Sequence, residues 1–278
     1  VLSDASGHGH HGTIHGATWV PAQRDSSAPP QTGFALSFDG ADDGVEIPSL
    51  TCRDGQPLTM ECYVYPRSID GNGRLIMMGG DASALLLMGG AHWLTNGSHS
   101  GNPHGVRAPI DGPLVRPVHL ASVWDGTELR LYVDGKRTGS AYPTSARVIP
   151  GANYSQLGGP PAPGVVSDLP WFDGILDEVR ISNVARYRED FSPETRFEPD
   201  EFTLALYHFD EGQGDVLADS SGNGHDGRIV GATWVAPSVN ADILSTGASA
   251  GPPGQDYALQ FDGVDDRFEI QLPITVDD

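Results

Sequence analysis

The chain has 278 residues, with 16 Lys and Arg against 37 Asp and Glu, a formal charge of −21, 36 Gly and 22 Pro. That length fits one large core or two modest ones, and with Lys136 as the only lysine an electrostatic grip on nucleic acid or anionic lipid is excluded. No apolar run approaches the roughly 20 residues that span a bilayer, so no membrane insertion is expected.

In chain order, residues 1–20 read VLSDASGHGHHGTIHGATWV, with no charged-then-apolar leader, which suits a mature protein, an excised segment or part of a longer chain. The same block returns at 216–235 as VLADSSGNGHDGRIVGATWV. A second block, ALSFDGADDGVEI at 35–47, returns at 258–270 as ALQFDGVDDRFEI. The Pro- and Ser-rich connection between the blocks differs in length between the copies, which marks a surface loop.

Short strands are expected next at 58–65 (LTMECYVY), 74–78, 84–88 and 118–124. ELRLYVDGKRTG at 128–139 alternates into Asp134-Gly135, a favoured two-residue hairpin turn. Further strands are expected at 174–181 (GILDEVRI) and 203–209 (TLALYHF), with one or two helical turns at 182–189 capped by Ser182 or Asn183. Turn-separated strands of this kind predict an all-β, antiparallel two-sheet sandwich. Cys52 and Cys62 either bridge a loop, if the chain is exported, or stand as two buried thiols.

FDGADDGVEIP, LTMECYVYP, HLASVWDGTELRLYVDGKRTGS and FDGILDEVRISNVAR, in that order and behind a DxSGxG opening, resemble the laminin-G-like jelly-roll domains of the concanavalin A-like superfamily. The resemblance covers nearly the whole chain and implies a jelly roll. It places the chain out of phase with the family. Residues 1–200 form a sandwich lacking its opening strand, and 201–278 supply that strand and the start of a second repeat. The tail is too short to enclose Leu204, Leu206, Tyr207, Phe209, Trp234, Leu259 and Phe268. Three readings stay open: 203–209 folds back to complete the first sandwich, it completes that of a neighbouring chain so that copies join head to tail into filaments, or the chain is a piece of a multi-repeat protein.

The DxSGxG turns offer the oxygen ligands and glycine flexibility that Ca2+ favours. The resemblance implies a structural Ca2+ held by Asp4, Ser6, Asp219 and Ser221 together with Asp177 and Glu178, and the adjacent Asp39, Asp42, Asp43, Asp262, Asp265 and Asp266 are able to contribute. Local side-chain hydrogen bonds in a plain turn explain the same residues. His8, His10, His11 and His15 cluster as transition-metal ligands do, but the second copy keeps only the His10 counterpart, His225.

Catalytic motifs are missing from the sequence: there is no Glu-x-Asp-x-Glu strand, nucleophile elbow, HExxH helix or phosphate-binding glycine pattern. No enzyme is expected. Glycan recognition needs aromatic platforms, for which Trp93, Trp171 and the outward pair Tyr63 and Tyr65 are the candidates, against the alternative that these rings cover the sandwich. Asn96 and Asn153 begin glycosylation tripeptides. The expectation is therefore a non-catalytic extracellular or cell-surface module, structural or adhesive, whose partners are other copies of itself, other extracellular proteins, or glycans bound with Ca2+.

Overall fold

The computed structural model describes residues 12–15, 18–21, 33–48, 50, 55–67, 72–78, 84–89, 92–96, 105–110, 116–141, 155–159, 171–235, 257–260 and 267–270. The strands are β1 (Gly12–His15), β2 (Thr18–Pro21), β3 (Ala35–Asp39), β4 (Gly44–Ile47), β5 (Leu58–Pro66), β6 (Asn72–Met78), β7 (Ala84–Gly89), β8 (His92–Asn96), β9 (Gly105–Pro109) and β10 (Val118–Trp124). They continue as β11 (Leu129–Val133), β12 (Lys136–Ala141), β13 (Ser155–Leu157), β14 (Asp173–Ser182), β15 (Thr203–Tyr207), β16 (Val216–Leu217), β17 (Gly227–Val230), β18 (Thr233–Val235), β19 (Tyr257–Gln260) and β20 (Arg267–Ile270). Every pairing is antiparallel, as the sequence predicts for a jelly-roll sandwich, and no helix among the described residues is long and apolar enough to cross a membrane.

Two compact units divide the chain. The larger, Pro29–Pro237, is the sandwich. Its first sheet runs β12-β11-β10-β5-β14-β3-β18, with β15 also on β14; its second runs β16-β17-β4-β13-β6-β7-β8-β9. The boundary expected near residue 200 falls inside this unit, because β15 pairs with β14, β17 with β4 and β18 with β3. The smaller unit, Val1–Ala28 with Ser238–Asp278, contains two separate two-stranded ladders, β1–β20 and β2–β19.

Alternation places Leu36, Phe38, Val45, Ile47, Met60, Val64, Leu120, Leu131, Leu157 and Leu176 in one apolar core between the sheets, with the period of two that half-buried strands require. Cys62 points into that core as a free thiol, and burial pushes it well above the usual thiol range; Cys52 lies outside the described residues. Asp134 and Gly135 both have positive φ, +48° and +70°, as a type I′ hairpin turn needs.

The outer face of the first sheet is covered as well. Residues 183–200 lie across it as an irregular strap, in place of the helical turns expected at 182–189. Long-range contacts fix this conformation. Thr59 Oγ1 donates to the Val184 carbonyl and accepts from Arg186 N–H, while Arg186 pairs with Asp200 at 2.7 Å. Tyr187 stacks on Phe191 at 3.5 Å between ring centroids, and Ala185, Tyr187 and Phe191 cover Ala121, Val123 and Tyr132.

Under the strap lies a buried ionic network. Arg180 Nε and Tyr187 Oη donate to Glu61, both at 2.8 Å, and His119 Nε2 sits 3.2 Å from the same carboxylate. Burial alone would raise the Glu61 pKa, but His119 and Arg180 outweigh it and hold the carboxyl below the usual range. Where β14 changes neighbours, from β3 along 173–176 to β15 along 179–182, Glu178 takes φ +47° and the register against β5 slips.

Candidate functional site

At one end of the sandwich the β3–β4 turn carries Asp39, Asp42 and Asp43, whose ligating oxygens lie within 4.8 Å of one another. Local hydrogen bonds shape it: Asp39 N–H donates to Asp43 Oδ2 and Ala41 N–H to Asp39 Oδ1, both at 2.8 Å. Asp43 is buried while Asp39 and Asp42 are exposed. Burial first, then repulsion from Asp39 and Asp42, pushes the Asp43 carboxyl above its usual pKa. A carboxylate disfavoured in this way gains from a cation.

The surrounding turns are built close. A Cβ on Gly231, in the β17–β18 turn at φ +76°, would stand 2.1 Å from Asp43 Oδ1, so only glycine leaves that oxygen room. Arg67 braces the other side, donating to the Phe38 carbonyl and to Asp173 at 2.5 Å each, and to Ser37 Oγ. A Cβ on Gly159 would meet the Trp171 ring at 2.9 Å and the Asp43 carbonyl at 3.1 Å. Trp171 is half-buried, and Gly159 lies between its ring and the backbone of Asp43. Chemically, the turn offers oxygen ligands for a hard cation, and the Trp171 ring packs on Gly159 behind the Asp43 backbone. Among the described residues, Asp39, Asp42 and Asp43 are the one group of three ligating side chains brought together.

The other expected ligands lie elsewhere. Asp219 accepts from Leu206 N–H (3.0 Å), Ser221 N–H (2.9 Å), Ser221 Oγ–H (2.8 Å) and His225 N–H (2.9 Å). Burial opposes ionisation of Asp219, yet these donors win and hold its carboxyl below the usual range. The DSSGNG turn thus uses its Asp and Ser to fasten itself to β15. Glu178 accepts from Phe197 N–H at 3.0 Å, and its Oε1 lies 2.8 Å from His208 Nδ1 and 3.4 Å from Arg196. Asp177 is half-buried beside it, and desolvation of its carboxyl with the Glu178 charge pushes it up to about 8. Asp4 and Ser6 lie outside the described residues, as do His8, His10, His11, Asn153, Asp262, Asp265 and Asp266.

Of the aromatic candidates, Trp93 is 1% exposed and belongs to the core; its strand faces inward, so the ring is no platform. Tyr63 and Tyr65 do point away from Met60, Cys62 and Val64, but Tyr63 is covered by the strap, its hydroxyl donating to the Glu194 carbonyl at 2.9 Å and its ring stacked on Phe197. Tyr65 is buried too. The sequence carried no sign that Gly159, which lies against both the Trp171 ring and the Asp43 carbonyl, comes near Asp43, since the two are far apart along the chain. Arg67 was equally unmarked.

A family model described as the concanavalin A-like lectin/glucanases superfamily, laminin G type, matches residues 39–192. No curated protein matches the chain. Among solved structures, a Bacteroides ovatus protein assigned to carbohydrate binding superposes with a TM-score of 0.60 at 18% identity, covering 75% of this chain and 61% of its own. The chain thus spans about three fifths of that protein's length. A heptameric pentraxin from Limulus polyphemus (TM-score 0.46, 15% identity, 57% of this chain and 79% of its own) and laminin α1 domains LG4-5 of mouse (0.42, 15%, 59% and 47%) are similar more loosely. At 18% identity the likeness to the Bacteroides ovatus protein shows the fold.

Proposed function

Because the chain belongs to the laminin G type of the concanavalin A-like lectin/glucanase superfamily, we propose that it is a non-catalytic binding module that works outside the cell and takes a glycan at the Trp171 end of its sandwich. The observation that carries this reading is the juxtaposition through Gly159 of the half-buried Trp171 ring and Asp43. Sugar faces stack on such rings, and their hydroxyls seek the polar groups beside them.

The acidic turn fits Ca2+. Asp39, Asp42 and Asp43 are the residues that would hold it, since only a glycine at 231 leaves room for Asp43 Oδ1, and burial with the neighbouring aspartates makes the charged form costly. Bound there, the ion would neutralise the turn and stiffen the neighbouring wall of the site. Affinity electrophoresis against a panel of polysaccharides tests the reading, with Trp171→Ala expected to lose retention without a change in melting temperature. Undiminished retention by Trp171→Ala would remove the platform.

A structural role, with copies joined head to tail, is supported by a different observation: β1 and β2 pair with strands of the other repeat copy.

A further inference from the structure

Neither copy of the opening block pairs with the FDG block that follows it in sequence. β18, from the second opening block, pairs with β3 of the first FDG block as Thr233↔Ser37, Trp234↔Leu36 and Val235↔Ala35. β2, from the first opening block, pairs with β19 of the second FDG block as Thr18↔Gln260, Trp19↔Leu259 and Val20↔Ala258. Aligned through the repeat, these are the same register. The neighbouring ladders agree: Arg228↔Glu46, Ile229↔Val45 and Val230↔Gly44 in β17–β4 correspond to Thr13↔Glu269, Ile14↔Phe268 and His15↔Arg267 in β1–β20.

The two pairs of ladders differ in support. β17 and β18 lie in eight-stranded sheets, whereas β1–β20 and β2–β19 are isolated two-stranded ladders, which are marginal in water by themselves. Opening them costs little and leaves the sandwich, closed by β15, β17 and β18, intact. Register and residue identity specify which strands pair; they do not specify that both belong to one chain.

We propose that the smaller unit is an exchangeable joint, in which β1 and β2 of one copy pair with β20 and β19 of a second copy in the register seen within one chain. The proposal rests on the head-to-tail reading above and is independent of glycan binding. The two surfaces of the joint are different, so the contact is heterologous, and successive copies form an open series or a closed ring. Pairing within one chain is independent of concentration and pairing between chains is not, so isolated chains predominate when dilute and joined chains when concentrated.

The test uses the full chain carrying Cys52→Ser, with Cys62 left in the core. Val20→Cys and Ala258→Cys chains, whose positions are Cα partners, are refolded together from denaturant at rising concentration and oxidised, and sedimentation gives the mass of the unsubstituted chain in parallel. The expected result is a mixed Val20→Cys/Ala258→Cys dimer that grows with concentration and is several-fold more abundant than that formed with Glu189→Cys, an exposed control. If mass rises with concentration but the mixed dimer stays at the control level, copies associate elsewhere and this joint is wrong. If mass stays that of one chain and only the Val20→Cys/Ala258→Cys double variant cross-links, within itself, the joint and the head-to-tail reading both fall.

Discussion

Asp219 decides between two uses of the DxSGxG turn, and its replacement by alanine separates them. The carboxylate accepts from Leu206, Ser221 and His225 N–H and from the Ser221 hydroxyl, and its side chain is fully buried. A hydrogen bond to a charged group contributes about 1.5–3 kcal/mol, and a buried donor left without a partner costs about 1–3 kcal/mol. Leu206 N–H is the donor in the fully buried β15 position, while water reaches the turn residues. Counting the full penalty there and about 1 kcal/mol for each of the three others, Asp219→Ala should lose about 4–6 kcal/mol. Urea denaturation at pH 7 reads this as a lower midpoint with an unchanged slope. Because the folded-state pKa of Asp219 lies below the ordinary one, its contribution is present above the usual carboxylate range and is lost as pH falls through the folded value; Asp219→Asn should remove that acid-side loss. Stabilisation by added Ca2+ should be the same in Asp219→Asn as in the unsubstituted chain. A cost under about 1 kcal/mol for Asp219→Ala, together with lost Ca2+ stabilisation, would refute the assignment of Asp219 to the turn.

Trp93→Ala should lose about 3–5 kcal/mol in the same assay without a specific effect on glycan retention, since it removes a core side chain. Excess Ca2+, at about 100 times its dissociation constant, should raise the melting temperature by about 5–10 °C, and Asp43→Asn should abolish the shift. Glu61→Gln should cost about 3–5 kcal/mol by leaving Arg180 buried against a neutral amide, which double-mutant cycles with Tyr187→Phe would verify. In chelator, Asp177→Asn should stabilise the chain at pH 8, and the gain should vanish below about pH 4, because a folded-state pKa raised to about 8 makes ionisation a penalty that grows between those values; an equal effect at both pH values would contradict it.

Strand positions were legible because each inward side chain announces itself by alternation: Met60, Cys62 and Val64 fixed the parity of β5, and Asp134-Gly135 fixed a hairpin. Parity does not say what lies over the outward face. Tyr63 and Tyr65 were read with the correct orientation and the wrong exposure, because Phe197 and Glu194, from a segment more than a hundred residues later, come down on Tyr63. Ser182 to Glu189 have helical composition, but Thr59 and Asp200 hold Arg186 in a different conformation. In the acidic turn the three aspartates were visible as a string. Their neighbours Gly231, Arg67 and Gly159 were not, since long-range pairing brings them there.

The edge of β14, shared between a strand at residue 35 and one at residue 203, also sets the order in which the chain becomes safe from misassociation. During synthesis the second half of β14 emerges able to pair with β5 on one edge but with its other edge open, and that edge stays open until residues 203–207 follow. β4 waits longer, because its partner β17 arrives at 227–230. A chain stalled near residue 200 would expose two unpaired edges and the apolar interior behind them, a state prone to add strands from its neighbours. With so many pairings distant in sequence, closure is expected to be slow, and the last thirty or so residues of the sandwich to be synthesised act as its latch.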